Sequence, residues 1–277
     1  DLGAGLGVDN WYQYLDRFGM FEKTGVDLPG EATTIIHKKE NVGPVELATM
    51  SFGQSFQITP LQLLRIASSI INGGNLVTPH FGDKVINSNG DIVHEFEYPI
   101  TKQSISPETS ALMTKLLESV VSEGTGRRTY VPGFRIGGKT ATSEKLPRRS
   151  GKYISSFLAF APADDPQVIA LVLANEPKGI YYGGAVVGPV IKELFETVLP
   201  YMGIEPVYSE QDYLNYNVGT IKVPNLTGMT VTEAKKLLKD HKHLEIEVLG
   251  EGTNVIEQFP LEGEFINEDS KVILYAE

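Results

Sequence analysis

The sequence predicts an α/β fold, an antiparallel sheet flanked by helices, followed by a small α+β module. Three observations carry this. Amphipathic helical segments bracket a run of apolar strands joined by hairpin-length connections. A polar, tyrosine-rich stretch without period, residues 204–220, separates this region from the rest. Beyond it, a capped helix is followed by alternating strands. With 277 residues, 41% of them hydrophobic, the chain can bury one large core and one small one. The expected organisation is a main domain over 1–203, a linker over 204–220 and a module over 221–277.

Each element has its own signal. The first helix is expected from Asp9 as N-cap, with Trp11, Tyr14, Leu15 and Phe18 at helical spacing and Gly19 just past its end. Thr59-Pro60 opens the second, because proline suits the first helical position. Leu63, Leu64, Ala67, Ile70 and Ile71 form its stripe, and Gly73-Gly74 ends it. Residues 77–104 read as short strands around the turn Asn87-Ser88-Asn89-Gly90-Asp91. Ser106-Pro107 caps a third helix, with a stripe of Leu112, Met113, Leu116, Leu117, Val120 and Val121, broken at Gly124-Thr125-Gly126. A strand region leads from Phe134-Arg135-Ile136 into Gly137 to Ser143, returns after the basic loop 144–152 as Tyr153 to Ala161, and turns at Asp164-Asp165-Pro166 into Val168 to Leu173. The helix after Pro189 is expected to bury Val190, Ile191, Leu194, Phe195 and Val198 and to stop at Pro200. In the module, Thr230 and Glu233 form a capping box ahead of Val231, Ala234, Leu237 and Leu238. Leu244 to Leu249, Val255 to Phe259 and Lys271 to Tyr275 alternate as strands, with Ile221-Lys222-Val223 a further short one.

Composition excludes several function classes. A net charge of −11 argues against a nucleic-acid partner. The absence of cysteine excludes disulfides and thiolate metal sites within these residues. No apolar run approaches the ~20 residues that span a bilayer. The opening Asp1-Leu2-Gly3-Ala4-Gly5-Leu6-Gly7, with neither Met nor a signal segment, reads as the start of a fragment whose anchor lies upstream.

The sharpest chemical feature is Gly138-Lys139-Thr140. Gly133 to Thr140 matches the phosphate-loop pattern G-x-x-x-x-G-K-[ST], the basis of a P-loop nucleotidase reading. That mechanism needs a buried strand before the loop and a helix after it. Here Arg127 to Pro132 precedes, and Glu144 to Gly151, with Pro147 and no apolar stripe, follows. In the other reading Lys139 lies on a strand edging a cleft, with its ammonium and the Thr140 hydroxyl directed at one place, suited to a peptide carboxylate. Small residues at 137, 138 and 141 let a substrate backbone lie close. The plainer reading is a surface lysine guarding an edge strand.

Phe134 to Ser143, with the basic loop and Tyr153 to Pro162 behind it, resembles the K-T-G strand and following strand of penicillin-binding proteins of the class B kind. Four further segments agree in order. Lys23 to Glu31 is similar to the family's TGIDLPGE segment, and Phe52-Gly53-Gln54-Ser55 with Thr59-Pro60 to its FGQG…TP segment. Val120 to Gly126 resembles the stretch ending in GTG, and Gly183-Gly184 with Pro189 the start of its last helix. The resemblance implies a β-lactamase-like transpeptidase fold and peptidoglycan cross-linking at D-Ala-D-Ala stem peptides by serine acylation. It also implies inhibition by β-lactams, no cofactor, other cell-wall synthesis proteins as partners, and an extracytoplasmic domain on a membrane anchor. It implies that Lys139 serves the proton-transfer network and the substrate carboxylate, that Thr140 and Thr142 hydrogen-bond that carboxylate, and that the Thr142 N–H is an oxyanion donor. Ala141 departs from the usual glycine, and its methyl narrows the approach. The family's S-x-x-K and S-x-N motifs occur nowhere in the 277 residues, so the nucleophile is expected before Asp1, in an upstream part of the same protein. Without it there, the chain would be a cell-wall scaffold or sensor. Val223-Pro224-Asn225-Leu226-Thr227-Gly228 and Gln258-Phe259-Pro260 resemble a PASTA module, and a single one leans towards a sporulation-type member over a division-type one.

Other residues offer lesser candidates. His241, His243 and Glu245 could share a face and bind zinc, but exposed polar residues at a helix–strand corner are the commoner arrangement. His37 beside Lys38, Lys39 and Glu40 reads as solvated. Arg148, Arg149 and Lys152 either attract an anionic substrate or form a solvated loop.

Overall fold

The structure is a computed structural model that describes residues 2–100, 102–147, 149–209, 212, 220–239, 244–259, 262–263, 265–267 and 271–277. The chain divides into two compact units, Asp1–Pro206 and Val207–Glu277. In chain order the first contains α1 (Leu2–Leu6), α2 (Val8–Arg17), α3 (Pro44–Met50), α4 (Pro60–Ile71), β1 (Asn75–Leu76), β2 (Lys84–Ile86), β3 (Ile92–Glu95) and β4 (Lys102–Gln103). It continues with α5 (Pro107–Ser122), β5 (Gly137–Glu144), β6 (Tyr153–Ala161), β7 (Val168–Asn175), α6 (Gly183–Val186) and α7 (Gly188–Tyr201). The second contains β8 (Thr220–Lys222), α8 (Val231–Leu238), β9 (Glu245–Leu249), β10 (Val255–Phe259), β11 (Phe265–Asn267) and β12 (Lys271–Ala276).

The centre of the first unit is an antiparallel sheet in the order β5-β6-β7. Strand alternation on β6 sends Phe157, Ala159 and Ala161 to one face, where they meet Ile191, Phe195 and Leu199 of α7. Phe160 points to the other face, against Ile71 of α4 and Ala163, with Leu117 of α5 alongside. Helices therefore cover both faces, as the sequence predicts.

Several helical details differ from expectation. A Gly7 N-cap at φ 79° starts α2, so Asp9 lies in the first turn, paired with Lys39 at 2.7 Å, rather than capping it. On α5, Leu112 and Leu116 are 58% and 52% exposed. Its inner face carries Ser110, Thr114 and Val121 instead. Small hydroxyl residues let α5 approach α4 closely: Ser110 Oγ donates to Ile70 O at 2.7 Å and accepts from the Gly73 N–H at 3.0 Å. On α7 the buried row is Ile191, Phe195 and Leu199, at four-residue spacing, while Val190 and Leu194 are exposed. That helix runs through Pro200 to Tyr201 instead of stopping at the proline.

The expected strands between 77 and 104 form a short hairpin, β2 against β3, around the turn at Asn87–Asp91. Asp27 anchors its base. The carboxylate accepts from the Phe81 N–H at 2.9 Å and the Gly82 N–H at 2.7 Å, while Tyr98 donates to Gly82 O at 2.6 Å. The Gly82 and Phe81 N–H groups hold the Asp27 carboxyl below the usual carboxylate range.

In the second unit the sheet order is β10-β12-β9, with β9 parallel to β12 and β10 antiparallel to it. The Thr230–Glu233 capping box starts α8 as expected. Leu237 is exposed, and Ala234 and Leu238 face a core with Val223, Leu226, Val255, Val272 and Leu274. The pairing of β11 with β8 was not foreseen. Gln258 ties this unit together, accepting from the Leu226 N–H at 2.7 Å and donating to Pro224 O at 3.0 Å. Of the expected linker, residues 210–211 and 213–219 lie outside the described residues, as do His241 and His243.

Candidate active site

Glycine determines where β5 lies. A Cβ on Gly138 would stand 2.6 Å from Leu158 O and from the Phe157 ring, and one on Gly137 would overlap the Phe160 ring. Two glycines thus seat the start of β5 flush on β6 and on the core phenylalanines. Among the described residues β5 pairs only with β6, so its other edge is open.

The register fixes which backbone groups reach that edge. The Glu176 N–H donates to Tyr153 O, so Tyr153 and its alternates Ser155 and Phe157 turn their backbone groups towards β7. Ile154, Ser156 and Leu158 turn theirs towards β5, opposite Ser143, Ala141 and Lys139. The backbone groups of Thr140 and Thr142 therefore point outward along the open edge.

The side chains divide differently. Successive residues leave opposite faces of a strand, so Lys139 and Ala141 share one face and Thr140 and Thr142 the other. Side-chain direction alone does not bring Lys139 and Thr140 to one place. Lys139 returns to the edge by folding along the strand, where Nζ donates to Thr140 O at 2.8 Å. Lys139 and Ala141 are exposed, and Thr140 and Thr142 are half-buried.

Two further segments close on this strand. Thr125 Oγ1 lies 3.1 Å from Thr140 Oγ1, and Thr142 Oγ1 accepts from the Gly183 N–H at 3.1 Å. A Cβ on Gly183 would come within 2.5 Å of Ala141 O, and one on Gly184 would overlap Thr125 O. The Gly183-Gly184 pair thus lets the start of α6 lie against Thr125, Thr140 and Ala141. Beside them Tyr153 and Tyr181 stack with centroids 4.1 Å apart, and Tyr182 continues the row at 4.7 Å. Sequence reasoning gave Thr125, Gly183 and these tyrosines no role in the site. The available signal was the small Gly-Thr-Gly turn and the Tyr-Tyr-Gly-Gly run, each a place for close approach.

The phosphate-loop alternative fails on geometry. Gly137 to Thr140 lie in the regular strand β5, which leads into a second strand and not into a helix N-terminus. The basic loop is held at its base, with Lys145 and Lys152 Nζ at 2.6 and 3.4 Å from Glu176, while Arg148 lies outside the described residues. Of the zinc candidates, Glu245 pairs with Lys271 at 3.3 Å. His37 uses its backbone carbonyl to accept from the Tyr12 hydroxyl.

Comparison with known proteins identifies the family. Residues 1–196 match the penicillin binding protein transpeptidase domain, and residues 221–277 match the PASTA domain. Stage V sporulation protein D of Bacillus subtilis is 40% identical over 284 residues, covering 99% of this chain and 43% of that protein. Probable peptidoglycan D,D-transpeptidase PenA of Neisseria meningitidis is 32% identical over 74% of this chain and 34% of its own length. The chain thus spans less than half the length of these curated relatives. Among solved structures, the transpeptidase domain of Burkholderia pseudomallei penicillin-binding protein 3 is 29% identical with a TM-score of 0.62, covering 72% of this chain and 59% of that one. Penicillin-binding protein 3 of Mycobacterium tuberculosis, solved in complex with ampicillin, shares the fold at 23% identity and a TM-score of 0.66, over 73% of this chain and 47% of that one. This chain belongs to the penicillin-binding protein transpeptidases and carries a PASTA domain that follows the transpeptidase region in sequence.

Proposed function

We propose that this chain forms one wall of the active site of a serine-type peptidoglycan D,D-transpeptidase, whose nucleophile lies in an S-x-x-K segment upstream of Asp1. The observation that carries this is the open edge of β5, where the backbone groups of Thr140 and Thr142 point outward and the Lys139 ammonium reaches Thr140 O. A stem peptide ending in D-Ala-D-Ala lies along that edge. Its terminal carboxylate takes hydrogen bonds from the hydroxyls of Thr140 and Thr142, with Lys139 supplying the positive charge. The Thr142 hydroxyl is oriented for this, because its oxygen already accepts from the Gly183 N–H and its proton is left to donate.

The serine attacks the penultimate carbonyl, and the Thr142 N–H stabilises the oxygen that becomes negative, a contribution of about 3 kcal/mol for such a donor. D-Ala leaves, and the amine of a neighbouring stem resolves the acyl-enzyme into a cross-link. β-Lactams acylate the same serine. Exposed Ala141, on the Lys139 face, sets how closely the substrate backbone approaches. The protein works outside the cytoplasm on an upstream anchor, with residues 204–220 as linker and the module of 221–277 directed at the cell wall and its synthesis proteins.

Fluorescent-penicillin labelling of the complete gene product tests this, with the adduct mapped by mass spectrometry. The expected adduct lies on a serine of an S-x-x-K upstream of Asp1, and Lys139→Ala lowers the labelling rate at least tenfold. Folded protein without an adduct would instead mark a non-catalytic scaffold. An adduct on a serine within these 277 residues would overturn the placement of the nucleophile.

A further inference from the structure

We propose that Asn89 is a site of spontaneous chemical modification, at which the backbone nitrogen of Gly90 displaces the side-chain amide. The chain holds two Asn-Gly dipeptides, Asn72-Gly73 and Asn89-Gly90. A following glycine matters because, without a Cβ, its nitrogen can reach the asparagine Cγ. The structure holds the two dipeptides very differently.

At Asn72 both reacting groups are engaged. Its Nδ2 donates to Asn75 O at 2.9 Å and its Oδ1 accepts from the Asn75 N–H at 2.8 Å. The Gly73 N–H donates to Ser110 Oγ at 3.0 Å, and that hydroxyl is buried between α4 and α5. Freeing Gly73 would break a hydrogen bond to a buried hydroxyl between these packed helices.

Asn89 stands exposed at the tip of the β2–β3 hairpin, and its side chain makes no hydrogen bond among the described residues. The Gly90 N–H must leave Asn87 O, 3.1 Å away, and the other ties of the turn, from the Asn89 and Asp91 N–H groups to Asn87 Oδ1 at 2.9 and 3.0 Å, are as exposed as the turn itself. The strands pair at Lys84–Glu95, Val85–His94 and Ile86–Ile92, with one backbone bond beyond each end, from Phe96 to Asp83 and from Asn87 to Asp91, and every residue of both strands is exposed. A two-stranded ribbon with no covered face opens readily.

The chemistry balances with water as the only co-reactant. The Gly90 nitrogen forms a bond to Asn89 Cγ and gives up its proton. The Cγ–Nδ2 bond breaks, and Nδ2 leaves with that proton as ammonia. Water then opens the five-membered imide at either carbonyl, leaving aspartate or isoaspartate at position 89. Both products add a negative charge near Asp91, whose carboxylate accepts from Asn87 Nδ2 at 2.9 Å. Isoaspartate also lengthens the backbone within the turn.

The test is to incubate the chain at mildly alkaline pH, native and in denaturant, and to follow both peptides by mass spectrometry. In the native protein the peptide holding Asn89 is expected to acquire the amide-to-acid mass change and to split into two isomers. It should do so about tenfold or more faster than the peptide holding Asn72. In denaturant the two rates converge. Asn89→Gln should remove the fast signal and leave the slow one unchanged. Equal native rates at the two sites, or a faster reaction at Asn72, would overturn the proposal.

Discussion

Ser55 shows how a single residue carries a local cost. It holds φ 67°, in the left-handed region that disfavours any residue with a Cβ, where the family pattern has glycine. Its hydroxyl lies 3.0 Å from Thr49 Oγ1, which offsets some of the strain. Replacing it with alanine or glycine removes that contact in both cases, and only alanine keeps the strain. Ser55→Ala is therefore expected to be less stable than Ser55→Gly by about 1 kcal/mol in urea denaturation. Equal stabilities would mean that the local backbone relaxes. The sequence reading matched Phe52 to Ser55 to the family segment without singling out Ser55, and its backbone angle was not legible, because the angle depends on how the loop after α3 is held by the pairing of Ile35 with Gln57.

Among the elements, the β2–β3 hairpin depends on a charge far away in sequence. The Gly82 and Phe81 N–H groups and the Tyr98 hydroxyl favour the ionised Asp27. A carboxyl with a lowered folded-state pKa stabilises the fold above its unfolded value of ~3.9, and loses that contribution as the pH falls through the folded value. The anchor should thus be intact at neutral pH and released only in acid. The amide shifts of Phe81 and Gly82 are expected to titrate together below the ordinary aspartate midpoint and to lose this titration in Asp27→Asn. A midpoint at or above the ordinary value would contradict the anchor. The sequence signalled the hairpin turn clearly, through Asn-Gly between apolar runs. The tie from Asp27 was not visible, since it joins segments 54 residues away from each other in the chain.

For the whole molecule, two units with separate cores predict two unfolding events. Calorimetry is expected to resolve two transitions. Thr230→Ala, which removes the cap of α8, should lower only the one belonging to residues 207–277, at a cost of about 1 kcal/mol. A shift of both transitions would show that the units unfold as one. Among the described residues no helix is long and apolar enough to cross a membrane.

Although it missed the short elements α1, α3, β1, α6 and β11, the sequence by itself determined α2, α4, α5, α7 and α8, the caps at Thr59, Ser106 and Thr230, and the strand bearing Lys139 and Thr140. These follow from periods and punctuation within a few residues, and five ordered motifs pointed to the family. The tertiary structure alone decided which side of each helix is inside. Leu112, Val190 and Leu194 are exposed and Ser110 is buried because packing against α4 and β6 selects the face, and an apolar stripe wider than the contact leaves residues over. It also decided that Thr125, Gly183 and Tyr181 gather at β5. Those contacts join segments that only the folded sheet brings together, and no local pattern encodes a distance of that kind.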